Sequence, residues 1–266
     1  MKLENNKTIP FKGFTIRVIS EEKTMRERQD VVDMLNRLVV ESEEDMIKSG
    51  QNLKSQVAPD KAWQVDDSWL STFESTHKHA LVLEKNGKPL AMTVFMINDP
   101  ETRQNLGVKG DFAIFIKALT EKRVRNTGIL GVLTKIAQSL IEERGLDPTY
   151  IGCVTAKTVV DDGVESYHVM NLERYAIMYD KMFHKNQLQI RYKDKEGNQV
   201  GRDLFDMNRF FKDGKIDHKA IDSLIREHQP IAAKEDKEVL GFYLVGDCPK
   251  RWANRVADRQ EIRSRL

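Results

Sequence analysis

The sequence predicts an α/β fold in which strands and amphipathic helices form layers (α+β layered), and three observations carry that prediction. Phe112 to Leu119 is almost continuously apolar, broken only by Lys117, as expected for a strand buried on both faces. Directly after it, Ile129, Leu130, Leu133, Ile136, Ala137, Leu140 and Ile141 recur at helical spacing. Upstream, His79–Lys85 and Lys88–Ile97 are apolar runs joined by Asn86-Gly87, the strongest short-range signal for a β-hairpin.

Taken in order, residues 1–13 read as a polar arm, and Phe14 to Ile19 alternates as a short strand. From Asp30 a helix turns Val31, Val32, Leu35, Leu38 and Val39 inward and runs into the acidic cluster Glu41, Glu43, Glu44 and Asp45. A second helix, Asp67 to Ser75, offers Trp69, Leu70 and Phe73. The hairpin, the buried strand and the helix after it follow, that helix capped by Asn126 or Thr127 and stopped by Gly145. Asp147-Pro148 turns the chain into a strand over Tyr150–Thr155, and Asp161-Asp162-Gly163 reads as a turn. Asn171 then caps a helix with Leu172, Tyr175, Ala176, Tyr179, Met182 and Phe183 on one face. Leu188–Tyr192 and Gln199–Phe205 form a further hairpin across Gly197-Asn198. Beyond about Asp206 the pattern gives a helix over Ile216–His228 and an apolar strand over Glu238–Val245. A last helix begins at Asp247-Cys248-Pro249, with Arg251, Arg255, Arg259 and Arg263 in one stripe.

Composition narrows the function. With 43 basic and 41 acidic residues the net charge is only +2, so nucleic-acid binding has no general support and would have to come from that arginine stripe. The longest apolar run, Leu90–Ile97, is too short to span a bilayer. The start, MKLENNKTIP, has no secretory pattern, and the two cysteines, Cys153 and Cys248, lie far apart with no metal spacing. The expectation is a cytoplasmic protein with reduced thiols. His77 and His79 would share a strand face, but two ligands do not make a zinc site, so no metal is expected.

The chemistry gathers between the buried strand and its helix. Lys122, Arg123 and Arg125 precede Gly128 and Gly131. A helix N-terminus presents unpaired N–H groups and the positive end of the helix dipole, glycine lets a ligand approach the backbone, and arginine forks suit phosphate oxygens. This is a candidate anion site; packing plus a solvated basic turn is the other reading of the same residues.

Arg125-Asn-Thr-Gly128-Ile-Leu-Gly131, after a strand and opening a helix, resembles the acyl-CoA pyrophosphate loop of the GNAT N-acetyltransferase superfamily. The family pattern is Arg or Gln, two residues, Gly, one residue, then Gly or Ala; here the last position is Leu130, with Gly131 one step late. Element order over about residues 14–205 and the segment Tyr179-Asp-Lys181 are similar to the family as well. The resemblance implies a mixed, mostly antiparallel sheet flanked by helices, with residues 1–205 as the acyltransferase domain. Residues 206–266 would then form a helix–strand–helix extension packed on or following it.

It implies, further, an N-acetyltransferase that moves an acetyl group from acetyl-CoA to a primary amine. Ala118, Leu119 and Thr120 would supply backbone donors along the arm of the cofactor, and Arg123, Arg125, Asn126, Gly128, Ile129, Leu130 and Gly131 would hold the pyrophosphate. Asn171 would lie near the pantetheine, and Tyr179 would protonate the departing thiolate. Tyr179 packing in the core is the competing reading. For the base, Asp111 and Glu121 flank a strand that contains no carboxylate, and a water chain serves equally. In the family the first helices border the acceptor site, so the acidic cluster would favour a cationic amine. A binding protein of the same fold without the chemistry is the alternative, with contact to nucleic acid or an acidic partner through the last helix.

Overall fold

The computed structural model describes residues 3–48, 64–75, 77–100, 103, 110–161, 164–170, 176, 183–196, 199–213, 215–234 and 236–249. Strand β1 (Thr8–Phe11) pairs antiparallel with β2 (Phe14–Ile19), so the expected polar arm is partly a strand. The turn between them passes through Lys12 and Gly13, both at positive φ, the two-residue geometry that hairpins favour. A short helix that the sequence pattern did not announce, α1 (Glu22–Glu27), leads into α2 (Gln29–Lys48), and α3 (Asp67–Ser75) follows. Strands β3 (Lys78–Lys85) and β4 (Lys88–Ile97) form the Asn86-Gly87 hairpin, with both turn residues at positive φ. Next come β5 (Phe112–Thr120), α4 (Ile129–Glu142) and β6 (Thr149–Asp161). Strand β6 turns back as β7 (Val164–Met170), a strand that the sequence reading lacked.

Beyond these lie β8 (Phe183–Lys193), β9 (Gln199–Asp206), a two-stranded β10 (Phe211–Lys212) and β11 (Lys215–Ile216), α5 (His218–Lys234) and β12 (Glu238–Pro249). The main sheet has ten strands in the order β1-β2-β3-β4-β5-β6-β12-β8-β9, with β7 on β6. The β5–β6 pair is parallel and the other strand pairs described are antiparallel. This is the expected mixed, mostly antiparallel sheet with helices against it.

Three expectations at the C-terminal side change. Strand β12 lies inside the sheet, hydrogen-bonded to β6 on one side and β8 on the other, so a domain boundary at residue 205 would cut through the sheet. Its apolar run Val239–Val245, interrupted only by Gly241, is what a strand covered on both faces requires. Residues 247–249 continue β12 and do not open a helix. Phe183 begins β8 and does not close a helix. The arginine stripe at 251–263 lies outside the described residues.

Each face of the sheet buries its own apolar set. Val31, Met34, Leu35 and Leu38 of α2, with Leu70 and Phe73 of α3, close over Ala80, Val82, Met92 and Val94. On the other face Leu133, Ala137 and Ile141 of α4, with Ile221, Leu224 and Ile225 of α5, join the cluster of Leu81, Phe95, Phe115 and Tyr150. Burying each such side chain contributes about 1.5–3 kcal/mol. The start of α2 is fixed electrostatically: Glu84 of β3, almost fully buried, accepts from Arg28 Nη1 at 2.5 Å and from Arg17 Nε at 3.2 Å.

Candidate active site

The parallel ladder between β5 and β6 is short. It pairs Phe112 with Thr149 and ends at Phe115 opposite Gly152, although β5 runs on to Thr120 and β6 to Asp161. Past that point β5 keeps its ladder with β4, and β6 stays with β12 and then with β7. At the parting point β4 and β5 also change register: Phe95 faces Phe115 while Val94 faces Lys117, leaving Ile116 as an extra residue. A bulge of this kind bends its strand and increases the local twist, which turns the end of β5 away from β6. The two strands therefore form a fork.

Burial follows the fork. Phe112–Phe115 are buried, whereas residues 116–120 are only half-buried, so the expected strand covered on both faces is covered along its first half. Along Ile116–Thr120 the backbone groups directed at β6 meet no strand among the described residues. Such groups seek hydrogen-bond partners. The prong carries Ala118, Leu119 and Thr120, and Ile116 and Leu119 rest partly against the α2 side.

The loop after β5 is built from turns. Glu121 N–H donates to Leu90 O at 2.9 Å, Lys122–Val124 form one 3-10 turn, and Thr127 Oγ1 donates to Val124 O at 2.7 Å. Asn126 has φ 64° and Gly128 has φ 79°. The helix cap is thus Gly128 in the left-handed region, and neither expected residue, Asn126 nor Thr127, fills that place. Glycine adopts this conformation without steric cost. The first intrahelical bond runs from Val132 N–H to Gly128 O, and no side chain caps the helix. The N–H groups of Ile129, Leu130 and Gly131 accordingly have no acceptor within the helix.

Gly131 sits in the first turn of α4, where glycine costs about 0.5–1 kcal/mol relative to alanine. No packing demands it: a Cβ added at Gly131 or at Gly128 would meet no atom within 4 Å. The space above the helix end is open. Leu130 is half-buried beside the two glycines, while Ile129 turns its side chain into the core.

Charge at the fork mouth alternates. Arg125 Nε donates to Thr120 O at 3.2 Å, and its terminal nitrogen lies 3.6 Å from Glu41. Glu41 also pairs with Arg37, one helical turn back on α2, at 3.2 Å. Arg37 in turn grips both carboxylate oxygens of Glu121. Its hydrogen bond to Glu121 raises the Arg37 pKa above the ordinary guanidinium value, against the pull of burial. Lys122 and Arg123 are exposed.

The sequence-derived site residues divide accordingly. Ala118, Leu119, Thr120, Arg125, Asn126, Gly128, Ile129, Leu130 and Gly131 lie on one prong and the loop that leaves it, and Glu121 joins them through Arg37. Asp111 does not. It precedes β5 at the closed end, accepting from Asn98 Nδ2 at 2.8 Å with Arg103 at 3.8 Å; at ~3.3 Å per strand residue it lies roughly 30 Å from Glu121. Asn171 and Tyr179 fall outside the described residues. Arg37 was missed altogether; its spacing to Glu41 is a legible i,i+4 pair, but its reach to Glu121 crosses 84 residues. His79 is buried against Phe95, with ring centroids 5.5 Å apart, and His77 precedes the strand. No cluster of three or more metal-ligating side chains occurs among the described residues.

No protein-family model and no curated protein matches the sequence. Solved structures similar to it include a GCN5-related N-acetyltransferase from Ralstonia eutropha JMP134, at 17% identity and TM-score 0.35, over 53% of this chain and 82% of that one. An acyl-CoA N-acyltransferase from Pseudomonas aeruginosa matches at 14% identity and TM-score 0.35, over 56% and 91%. A tandem GNAT protein from the clavulanic acid biosynthesis pathway matches at 9% identity and TM-score 0.39, over 69% and 48%. Each likeness is partial, and nothing about the chemistry of this chain follows from it. What the chain itself displays is a mixed α/β fold with a forked parallel pair beside a helix N-terminus that no side chain caps. Among the described residues no helix is long and apolar enough to cross a membrane.

Proposed function

We propose that this chain is an acyl-CoA-dependent N-acyltransferase of the GNAT type, moving an acetyl group to a primary amine in the cytoplasm. One observation carries the reading. The fork between β5 and β6 opens onto the same end of the sheet as the uncapped N-terminus of α4. A diphosphate and the extended amide arm attached to it need both features side by side: convergent N–H donors for the anion and, for the arm, a strand edge that no neighbouring strand among the described residues covers.

The residues fit such a donor. The backbone N–H groups of Ile129, Leu130 and Gly131 can converge on phosphate oxygens over the open space at the two glycines. Arg125 adds a fork of donors, with Asn126 and the exposed Arg123 beside it. The backbone of Ala118–Thr120 offers the strand edge. Acetyl-CoA, when bound, supplies the thioester. Holding thioester and amine together removes much of the barrier, about 7 kcal/mol or more for well-aligned partners. The neutral amine attacks the carbonyl carbon, the carbon–sulfur bond breaks, and the thiolate takes a proton for which Tyr179 is the proposed donor, with Asn171 near the arm. The amine's own proton leaves through water or Glu121. Asp111 has no part at this distance.

The carboxylate of Glu41, on α2 at the mouth of the fork, supports a cationic acceptor. Calorimetry with acetyl-CoA tests the reading directly: saturable binding is expected, and none at millimolar ligand would end it. Given binding, Tyr179→Phe should lower turnover and leave affinity nearly intact. A non-catalytic binding protein of the same fold is the second reading, favoured by the absence of any carboxylate in β5. It predicts cofactor binding without thiol release across a panel of amines.

A further inference from the structure

The sheet ends at β9: among the described residues no strand lies beyond it. The exposed large apolar side chains among the described residues are Val200, at 40%, and Leu204, at 46%, and both belong to this strand. Leu204 shares one face with Arg202 and Asp206, all solvent-exposed, while Val200 is the extra residue of a bulge between the pairs Tyr192–Gly201 and Lys193–Gln199. The opposite face is already engaged, since Tyr192 Oη donates to Asp203 Oδ2 at 2.7 Å and Phe205 meets the His228 ring edge-on at 5.2 Å. An edge strand presents a row of backbone donors and acceptors to any strand that can align with it.

We propose that β9 pairs antiparallel with β9 of a second copy of this chain, about a two-fold axis through Leu204, joining the two sheets. An axis normal to the sheet keeps each side chain on its own face, so opposed residue numbers must sum to an even value. That leaves few registers. Centring on Arg202 sets two arginines against each other, and centring on Asp203 sets two aspartates together. Centring on Gly201 matches no charges. Centring on Leu204 brings the two leucines into contact and places Arg202 of each copy opposite Asp206 of the other. Opposite charges across a pair are favourable and like charges unfavourable, so electrostatics selects this register. Asp206 Oδ1 accepts from Asn208 N–H at 2.9 Å, which holds the carboxylate at the strand end.

Sedimentation equilibrium of the full chain across a concentration series tests this, independently of any chemistry at the fork. The wild type should dimerise. Arg202→Asp alone and Asp206→Arg alone should each weaken self-association about tenfold or more, because each sets like charges opposite one another twice. An equimolar mixture of the two variants should restore association, each supplying the charge that the other lacks. Leu204→Arg, which leaves the Asp206 cap untouched, should abolish the dimer while circular dichroism shows the fold intact. A wild type that stays monomeric, a dimer indifferent to Leu204→Arg, or a mixture no stronger than its parts would each overturn the proposal.

Discussion

Glu41 of α2 and Arg125 of the loop face each other at 3.6 Å across the mouth of the fork, with Arg37 holding the other side of Glu41 at 3.2 Å. The arginine proposed to hold a phosphate is therefore already countered by a carboxylate. Bound anion and Glu41 must compete for it, and the outcome depends on how much each pair is worth.

A half-exposed ion pair is worth about 0.2–1 kcal/mol, whereas a charge-assisted hydrogen bond to a bound ligand is worth about 1.5–3 kcal/mol. The ligand should win. Arg125→Ala is expected to weaken acetyl-CoA binding by about tenfold or more, and Glu41→Gln to tighten it by a small factor, about two- to fivefold. Calorimetry on both variants checks the pair; a weaker Glu41→Gln would mean that Glu41 orients Arg125 and does not compete for it.

Gly131 offers a test with opposite signs. In the free protein Gly131→Ala should stabilise α4 by about 0.5–1 kcal/mol, since its Cβ meets nothing. The same methyl stands in the space through which a diphosphate would reach the backbone. A rise in thermal midpoint together with a loss of acetyl-CoA affinity is the expected result, and Gly128→Ala, at φ 79°, should lower stability instead.

Lys78 gives stability a pH dependence. Only 5% exposed, its ammonium sits 4.9 Å from the Trp69 ring centroid, bonded to Thr72 Oγ1. Burial pulls its pKa from 10.5 to about 8. The unfolded chain holds this proton more tightly, so stability should rise with pH from about 8 to 10.5 and carry the full penalty below that window. At 1.36 kcal/mol per unit the penalty is about 3 kcal/mol. Lys78→Met should raise the urea midpoint at neutral pH and flatten the rise above pH 8; an unchanged profile would refute the assignment.

Glu84 is the converse case, a buried carboxylate answered by two arginines. Glu84→Gln should cost roughly 3 kcal/mol by leaving Arg17 and Arg28 without their counter-charge. Because Arg28 precedes α2, fraying of that helix by hydrogen exchange should accompany the loss.

Much of this architecture is legible in the chain. The apolar run at 112–119, the Asn86-Gly87 turn and the helical period from Ile129 each follow from local rules of spacing and turn chemistry, and each element forms where those rules put it. The β1 strand escaped because its four residues are too few for a period. The interior place of β12 escaped for another reason: its apolar run announces burial, but no local pattern says which neighbours will bury it.

The sequence by itself determined most of the elements around the site and the loop of Arg125, Gly128 and Gly131, because backbone conformation and apolar periodicity are set within a few residues. Only the tertiary structure decided that β5 and β6 part after Phe115, that Asp111 lies at the wrong end, and that Glu41 and Arg37 reach the loop. Those facts depend on register, on a bulge at Ile116 and on contacts between residues far apart in the chain, and such pairings are fixed by the packing of the whole sheet.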